Sequence, residues 1–316
     1  MRKFIRLTGK ILGFFLSGIV VFLIVSTAYH HIALGVEAGK IVPNGTLVEV
    51  NGHQMHVYAD GEKSKKPTLV FMSGAGTVAP VYDFKSLYTA LSGEYRIAVV
   101  EKAGYGYSET VDVSRDIDTM LSETREALSL AGESGPYVLF PHSMSGIEAL
   151  YWAQQYPQEV AGIIGLDMAV PEYYRSVNAS DSDFVVQLGQ AAVWLGLHRS
   201  IPGLSALTET GLTEQEAEQQ RILMYRNALG KDCLLERDAA SANAAVVEAG
   251  GIPDIPMLMF VSDEDAGDDW IPCAQRFAEA AGAPIVMLSC GHYVHSFEYN
   301  TIAEQSKTFI AALAYG

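Results

Sequence analysis

The sequence is poor in positive charge for its size. Its 316 residues include 21 Lys and Arg against 37 Asp and Glu, which gives a formal net charge of −16. The first 34 positions hold four basic residues (Arg2, Lys3, Arg6 and Lys10) and no acid, so the remaining chain carries −20. A domain this acidic repels phosphate backbones. The composition therefore argues against nucleic-acid binding.

Cysteine is also scarce. An odd number of cysteines, Cys233, Cys273 and Cys290, leaves at least one thiol unpaired, and their spacing fits no zinc pattern. One disulfide is compatible with the sequence, but three ordinary thiols are the favoured interpretation. The glycine-rich turn at 73–76 lacks the Lys-Ser/Thr of a P-loop and the spacing of a dinucleotide site. We therefore expect neither a metal nor an organic cofactor.

One long apolar run is present near the N-terminus. Residues 11–29 contain no charge, and a helix of about 20 residues suffices to cross ~30 Å of hydrocarbon. The basic residues precede this run and Glu37 follows it, so the positive-inside rule places the N-terminus in the cytoplasm. We predict a cytoplasmic basic tail over 1–10, a single transmembrane anchor over 11–34, and an extracytoplasmic remainder. A cleaved signal peptide is the alternative, because Ser26-Thr27-Ala28 resembles a cleavage site; a buried helix of a soluble domain is a third.

After residue 45 short apolar runs alternate with helical patterns. The predicted strands include Thr68–Met72, Val160–Leu166 and Ile285–Leu288. This alternation predicts an α/β fold with a mostly parallel sheet and helices on both faces. Between 171 and 251 the pattern becomes mostly helical, which predicts a helical cap inserted between two parts of the sheet domain, 45–170 and 252–316. Functional residues are then expected just after strands.

The segment from Tyr137 to Trp152 has the strand–turn–helix pattern of a nucleophile elbow. The residues two before and two after such a nucleophile must be small. With Ser143 as the nucleophile these positions are Pro141 and Ser145, whereas with Ser145 one of them would be Ile147. We therefore predict Ser143, although the glycines of G-x-S-x-G are replaced. An ordinary helix N-cap serine is the alternative interpretation.

A serine nucleophile needs a base, usually a histidine. His142 adjoins Ser143 in sequence, which places it badly for this role. His292 and His295 follow the last predicted strand, and His292, directly after Gly291, is the predicted base. His295 is expected to pack nearby or to line the pocket wall.

The base in turn needs an acid. Asp265 lies on the loop after the strand that ends at Val261 and is the predicted acid, with Asp263 next. Asp167 is a weaker candidate, more simply interpreted as a loop-capping carboxylate. The order Ser143, Asp265, His292 matches the nucleophile–acid–base order of a known hydrolase arrangement.

An oxyanion hole needs two backbone N–H groups that point at the developing charge. Met144, at the start of the helix after the elbow, is expected to supply one. Ala75, in the turn after the Thr68–Met72 strand, is expected to supply the other.

From about Leu47 to the C-terminus the chain resembles the α/β-hydrolase family, in particular its capped esterases and proline-iminopeptidase-like enzymes. Five motifs carry the resemblance in the family's order: SGAGT, VVEKAGYGYSE, PHSMSG, SDED and CGHYVHSFE. Ser73 stands where the family commonly has histidine, and Glu101 replaces an aspartate. The resemblance implies Asp265 as the acid and His292 as the base.

Together these features predict a serine hydrolase that cleaves an ester, amide or thioester of a small acyl or peptide substrate through an acyl-enzyme. The apolar cap segment at 183–198 favours a carboxylesterase. A serine nucleophile disfavours the dehalogenase and epoxide-hydrolase branches, which attack with aspartate. The alternatives are an aminopeptidase that uses acidic cap residues (Glu214, Glu216, Glu218 and Glu236) and a non-catalytic, membrane-tethered binding module.

Overall fold

The computed structural model describes residues 2–175, 183–201, 211–264, 267 and 269–313. Its strands are β1 (Thr46–Val50), β2 (His53–Asp60), β3 (Thr68–Met72), β4 (Ile97–Glu101), β5 (Tyr137–Ser143), β6 (Val160–Met168), β7 (Met257–Ser262) and β8 (Ile285–Leu288). Its helices are α1 (Arg2–Ala38), α2 (Pro80–Asp83), α3 (Lys85–Ser92), α4 (Ile117–Leu130), α5 (Ser145–Gln155), α6 (Asp183–Trp194), α7 (Glu214–Asn227), α8 (Lys231–Ala249), α9 (Trp270–Ala281), α10 (Val294–Phe297) and α11 (Tyr299–Ala312).

In the described ranges the strands form one eight-stranded sheet in the order β1-β2-β4-β3-β5-β6-β7-β8. The β1–β2 and β2–β4 pairs are antiparallel, and the other pairs are parallel. Side chains alternate along the central strands, so Phe71 and Phe140 pack on one face while Val70 and Leu139 pack on the other, all fully buried. Two apolar faces require cover on both sides. The predicted α/β fold with a mostly parallel sheet is confirmed.

The segment between β6 and β7 is helical wherever it is described, and contains α6, α7 and α8. A capping box starts α7, because the Thr213 side chain accepts from the backbone N–H of Glu216 while the Glu216 carboxylate accepts from that of Thr213. This segment corresponds to the predicted cap, of which 176–182 and 202–210 lie outside the described residues.

The N-terminal helix α1 runs over 37 residues. Among the described helices it is the one long and apolar enough to cross a membrane, a test that a signal sequence near the N-terminus also passes. Its apolar side chains are exposed for most of its length.

The three cysteines are free and buried, as the favoured interpretation expected.

Candidate active site

A strained turn joins β5 to α5. Ser143 has φ +54°, in the left-handed region that a serine rarely adopts. Helix α5 also lies tightly against the end of β6, because a Cβ on Gly146 would lie 2.2 Å from the carbonyl oxygen of Ala169. Gly146, three positions after Ser143, is therefore a position that cannot take a side chain. The turn has the conformation of a nucleophile elbow.

The two serines of this turn have different surroundings. Ser145 is buried, and its hydroxyl donates to the carbonyl oxygens of Met72 at 2.7 Å and His142 at 2.8 Å. It therefore joins the ends of β3 and β5. Ser143 is only partly buried, and its Oγ makes no hydrogen bond to any described residue. Of the two, Ser143 is the one whose hydroxyl has no partner in the described part of the chain.

The turn after β3 lies directly against this elbow. A Cβ on Gly74 would come within 2.6 Å of the Ser143 Cβ and 3.2 Å of its Oγ. Only glycine permits so close an approach. The structure thus brings together the two segments that carry the predicted oxyanion donors, Ala75 beside Gly74 and Met144 beside Ser143.

His292 follows β8 and is bonded to Asp167, which lies near the end of β6. The two side chains meet at 2.6 Å between Nδ1 and Oδ2. Because a carboxylate accepts, Nδ1 carries the hydrogen and Nε2 is left with a lone pair. Asp167 is fully buried at φ +48°. Its Oδ1 accepts from the backbone N–H of Ser262 at 3.1 Å and from Nε1 of Trp270 at 2.8 Å.

Asp265, the predicted acid, lies outside the described residues, and its role stays a prediction. Among the described residues, the carboxylate that contacts His292 is that of Asp167, the weaker candidate. A signal in the sequence could have favoured it: Asp167 interrupts an apolar strand, and a buried carboxylate needs partners. Asp263 accepts from Ser289 Oγ at 2.8 Å and is exposed. No pattern in the sequence indicated Trp270 or Ser262. Both donate to Asp167, a residue far away in the sequence, and a local pattern does not contain such contacts.

The profile of the Alpha/beta hydrolase family matches residues 69–303. The chain belongs to this family. It is 42% identical over 315 residues to the uncharacterized protein YbdG of Bacillus subtilis (strain 168), covering 95% of this chain and 96% of YbdG.

Solved structures of this fold include enzymes of several chemistries. Epoxide hydrolase A from Mycobacterium thermoresistibile aligns with TM-score 0.62 and 18% identity, over 87% of this chain and all of that one. The thioesterase domain from the curacin biosynthetic pathway aligns with TM-score 0.59 and 16% identity, over 84% of this chain and 99% of that one. At such identities the likeness shows the fold alone.

In this α/β hydrolase two further histidines, His142 and His295, lie next to His292. His142 donates from Nε2 to the carbonyl oxygen of His292 at 3.2 Å, and its ring packs on the His292 ring at 4.7 Å. His295, fully buried, lies 3.0 Å from Asp83 through Nε2, and its ring meets that of His142 edge to face. Burial, with the neighbouring His295 and His292, holds the pKa of His142 well below its usual range. The surroundings of His142 therefore favour its neutral form.

These side chains also form the one group of potential metal ligands among the described residues. Asp83, His142 and His295 place one ligand atom each within 4.8 Å of the others. The hydrogen bonds already described occupy the Asp83 carboxylate and Nε2 of both histidines. Nδ1 of both histidines is buried and has no hydrogen-bond partner among the described residues. The expectation of a metal-free site stays a prediction.

Charged residues of the core and cap meet beside the elbow. A cavity of about 10 Å³, the size of one water molecule, is lined by Met144, Glu148 and Glu236 among others. Glu236, on α8, forms a buried ion pair with Lys102. Glu148 accepts from Thr124 Oγ1 at 2.8 Å, and burial raises its pKa despite the attraction of Lys102. The hydrolase thus has a tight, polar contact between cap and nucleophile helix.

Glu101, which replaces the aspartate of the family motif, is a structural residue. Its carboxylate accepts from the backbone N–H groups of Val81 at 3.0 Å and Tyr107 at 2.7 Å and contacts His56 Nδ1 at 2.9 Å. A Cβ on Gly106 would lie 1.9 Å from Glu101 Oε2. The motif therefore fixes the loop after β4 and does not reach the reacting groups.

Proposed function

We propose that this α/β hydrolase is a serine hydrolase in which Ser143 attacks, His292 is the base and Asp167 is the acid. The observation that carries the proposal is the Asp167–His292 bond, formed beside a strained elbow whose serine hydroxyl bonds to none of the described residues. Asp167 takes the role that we predicted for Asp265 from the sequence.

The mechanism follows from the hydrogen positions. Asp167 holds the His292 tautomer whose Nε2 accepts the Ser143 proton as Oγ attacks the substrate carbonyl. The backbone N–H groups of Ala75 and Met144 stabilise the oxyanion. His292 then protonates the leaving group, and an acyl-enzyme remains on Ser143. Water, deprotonated by His292, releases the acid and restores the serine. Among the described residues Ser143 Oγ and His292 share no hydrogen bond, and such bonds often tighten only around substrate.

The proposed substrate is a carboxylic ester of a small molecule. Epoxide hydrolases share the fold but attack with aspartate, whereas the elbow residue here is a serine. The aminopeptidase alternative needs free acidic groups in the cap. Of the four cap residues named above, Glu216 is paired with Lys85, Glu218 with Arg221 and Glu236 with Lys102, whereas Glu214 is exposed. Only Glu236 lines the cavity beside Met144, and it would have to leave Lys102 to hold an amino group.

A fluorophosphonate probe tests the nucleophile. The wild type should be labelled once and Ser143→Ala should not be labelled at all. Ser145→Ala is the matched control: it removes a neighbouring hydroxyl of the same turn and should leave labelling. Labelling that survives Ser143→Ala would overturn the proposal. Comparing acyl esters with aminoacyl-arylamides then separates esterase from aminopeptidase activity.

We also propose that α1 anchors the enzyme in a membrane as a single pass, with the catalytic domain on the extracytoplasmic side. The basic residues before the apolar run and the length of α1 support this. The mature chain should resist extraction by alkaline carbonate, and protease added to intact cells should digest the catalytic domain. A mature N-terminus near Tyr29 would instead indicate a cleaved signal peptide.

A further inference from the structure

The first helix of the cap has an apolar outer surface. From Phe184 to Trp194 the sequence of α6 contains no charged residue. Phe184, Val185, Leu188 and Trp194 are between 55% and 69% exposed. The first three share one face of the helix by their spacing. Clustered exposed apolar side chains of this kind mark a binding surface.

This surface adjoins α1. The Ser26 hydroxyl donates to the carbonyl oxygen of Leu195, one residue after the end of α6, at 2.8 Å. The ring of Trp194 packs against that of His31, with centroids 5.6 Å apart. The end of α6 therefore contacts the last turns of the proposed anchor.

A second set of contacts lies farther along α1. Arg199 donates from both terminal nitrogens to the carboxylate of Glu37, at 2.9 and 2.6 Å, and from Nε to His30 Nδ1 at 2.8 Å. Arg221 lies 3.6 Å from the same carboxylate. Ion pairs hold the cap to α1 beyond the uncharged run, where water is available to the partly exposed Arg221.

The length of α1 gives the depth of these contacts. At 1.5 Å per residue, a span of ~30 Å that starts after Lys10 ends at about His30. Ser26 then lies roughly 6 Å inside that boundary, and Trp194, beside His31, lies at it. Tryptophan is enriched at this level of a membrane.

We propose that α6 is a second membrane contact, which places Phe184, Val185, Leu188 and Trp194 in the leaflet from which the catalytic domain emerges. The proposal rests on the anchoring proposed above. The occupant of the surface is the acyl-chain region of the bilayer around α1, because the C-terminal end of α6 contacts that helix and residues 184–194 carry no charge. The cap beside Ser143 is thereby held at the membrane surface.

Trp194 is a natural reporter of this contact. The other two tryptophans, Trp152 and Trp270, are buried in the core. We would reconstitute the full chain in phosphatidylcholine vesicles with brominated acyl chains and compare it with Trp194→Phe. The difference in emission between wild type and variant is the emission of Trp194. The brominated lipid should quench most of it, and acrylamide dissolved in the water should quench little of it.

A matched pair of spin-label sites gives an independent measurement. Leu188 and Leu130 are 55% and 53% exposed, and Leu130 is at the end of α4 in the sheet domain. A label at Leu188→Cys should collide with oxygen dissolved in lipid, and a label at Leu130→Cys with a water-soluble nickel complex. The native cysteines are buried and provide a weak background.

The outcomes separate this surface from the anchor. Release of the chain by alkaline carbonate would overturn the anchor and the surface with it. If the chain stays in the membrane but acrylamide quenches Trp194, the proposed membrane contact of α6 is wrong while the anchor stands. Retention with Trp194 shielded from both quenchers would also overturn that contact, since a second copy or another protein would then cover α6.

Discussion

Trp270 donates a hydrogen bond from its indole nitrogen to Asp167, 2.8 Å from Oδ1. The other oxygen of that carboxylate is the one bonded to His292. Trp270 begins α9, after the acidic loop in which the sequence placed the acid, whereas Asp167 comes from β6. β6 therefore provides the carboxylate, and donors at the end of β7 and at the start of α9 orient it.

The first prediction concerns the acid. Asp167→Asn keeps the size of the side chain but no longer favours the His292 tautomer with a free Nε2. We expect kcat to fall about 10⁴-fold, with substrate binding and folding nearly unchanged. Steady-state kinetics with a soluble ester measures the effect.

Two further variants decide between the candidate acids. Asp263→Asn and Asp265→Asn should both be mild. A severe Asp265→Asn beside a mild Asp167→Asn would return the acid to the position that the sequence predicted. Three mild results would show that Ser143 is activated in another way.

The second prediction concerns orientation of that acid. Trp270→Phe removes the indole donor and retains a ring beside His292. Loss of a hydrogen bond to a charged group costs about 1.5–3 kcal/mol, so we expect kcat to fall about 10- to 100-fold with KM unchanged.

A matched control exists in Trp152, whose Nε1 donates to Glu159 at 2.9 Å away from the reacting groups. Trp152→Phe should lower the melting temperature without changing kcat. If the two variants lose equal activity, the Trp270 bond has only a structural role.

Much of the sheet was predictable from the sequence. The bounds of β3 and β8 are those predicted, because short apolar runs rich in Val, Ile, Leu and Phe lie between turn residues. After β3 the sequence pattern predicts one helix over about Tyr82–Leu91, whereas the structure has two helices there, α2 and α3, that meet at Phe84. Asp83, at the end of α2, contacts His295, 212 positions away. A local pattern does not contain such a contact.

The candidate site was predictable where its geometry is local. Ser143 and Met144 lie on one turn, and His292 follows β8, so sequence order alone indicated them. The proposed acid, Asp167, is not local. Several carboxylates follow β7 in the sequence, and for that reason we predicted the acid in the loop after this strand. The one described next to His292 is a single aspartate within β6, selected by its burial and by donors from β7 and α9.

The third prediction concerns the approach of the turn to the elbow. A methyl group on Gly74 would lie 2.6 Å from the Ser143 Cβ and 3.0 Å from the carbonyl oxygen of His142. Gly74→Ala should therefore push the Ala75 N–H away from the oxyanion position. Removal of one such donor costs about 10²–10³ in kcat.

Gly93→Ala is the control for this substitution, because Gly93 has φ −67° and no atom within 4 Å of an added Cβ. It should leave fluorophosphonate labelling and kcat unchanged. Normal labelling of Gly74→Ala would show that the turn can shift without disturbing the hole.

The last prediction concerns the buried carboxyl group beside the elbow. Burial raises the pKa of Glu148 above its ordinary value of 4.5, with the attraction of Lys102 opposing the shift. The folded protein then binds this proton more tightly than the unfolded chain does. Its contribution to stability is largest below about pH 4.5 and is lost as the pH rises through the folded pKa.

Glu148→Gln removes the ionisation and keeps an acceptor for Thr124. The difference in melting temperature between Glu148→Gln and wild type should therefore be more positive at about pH 8 than at about pH 4. For the control Glu126→Gln, whose side chain is exposed, this difference should be the same at both pH values. A Glu148→Gln difference that is smaller at the higher pH would mean that the folded protein stabilises the Glu148 carboxylate.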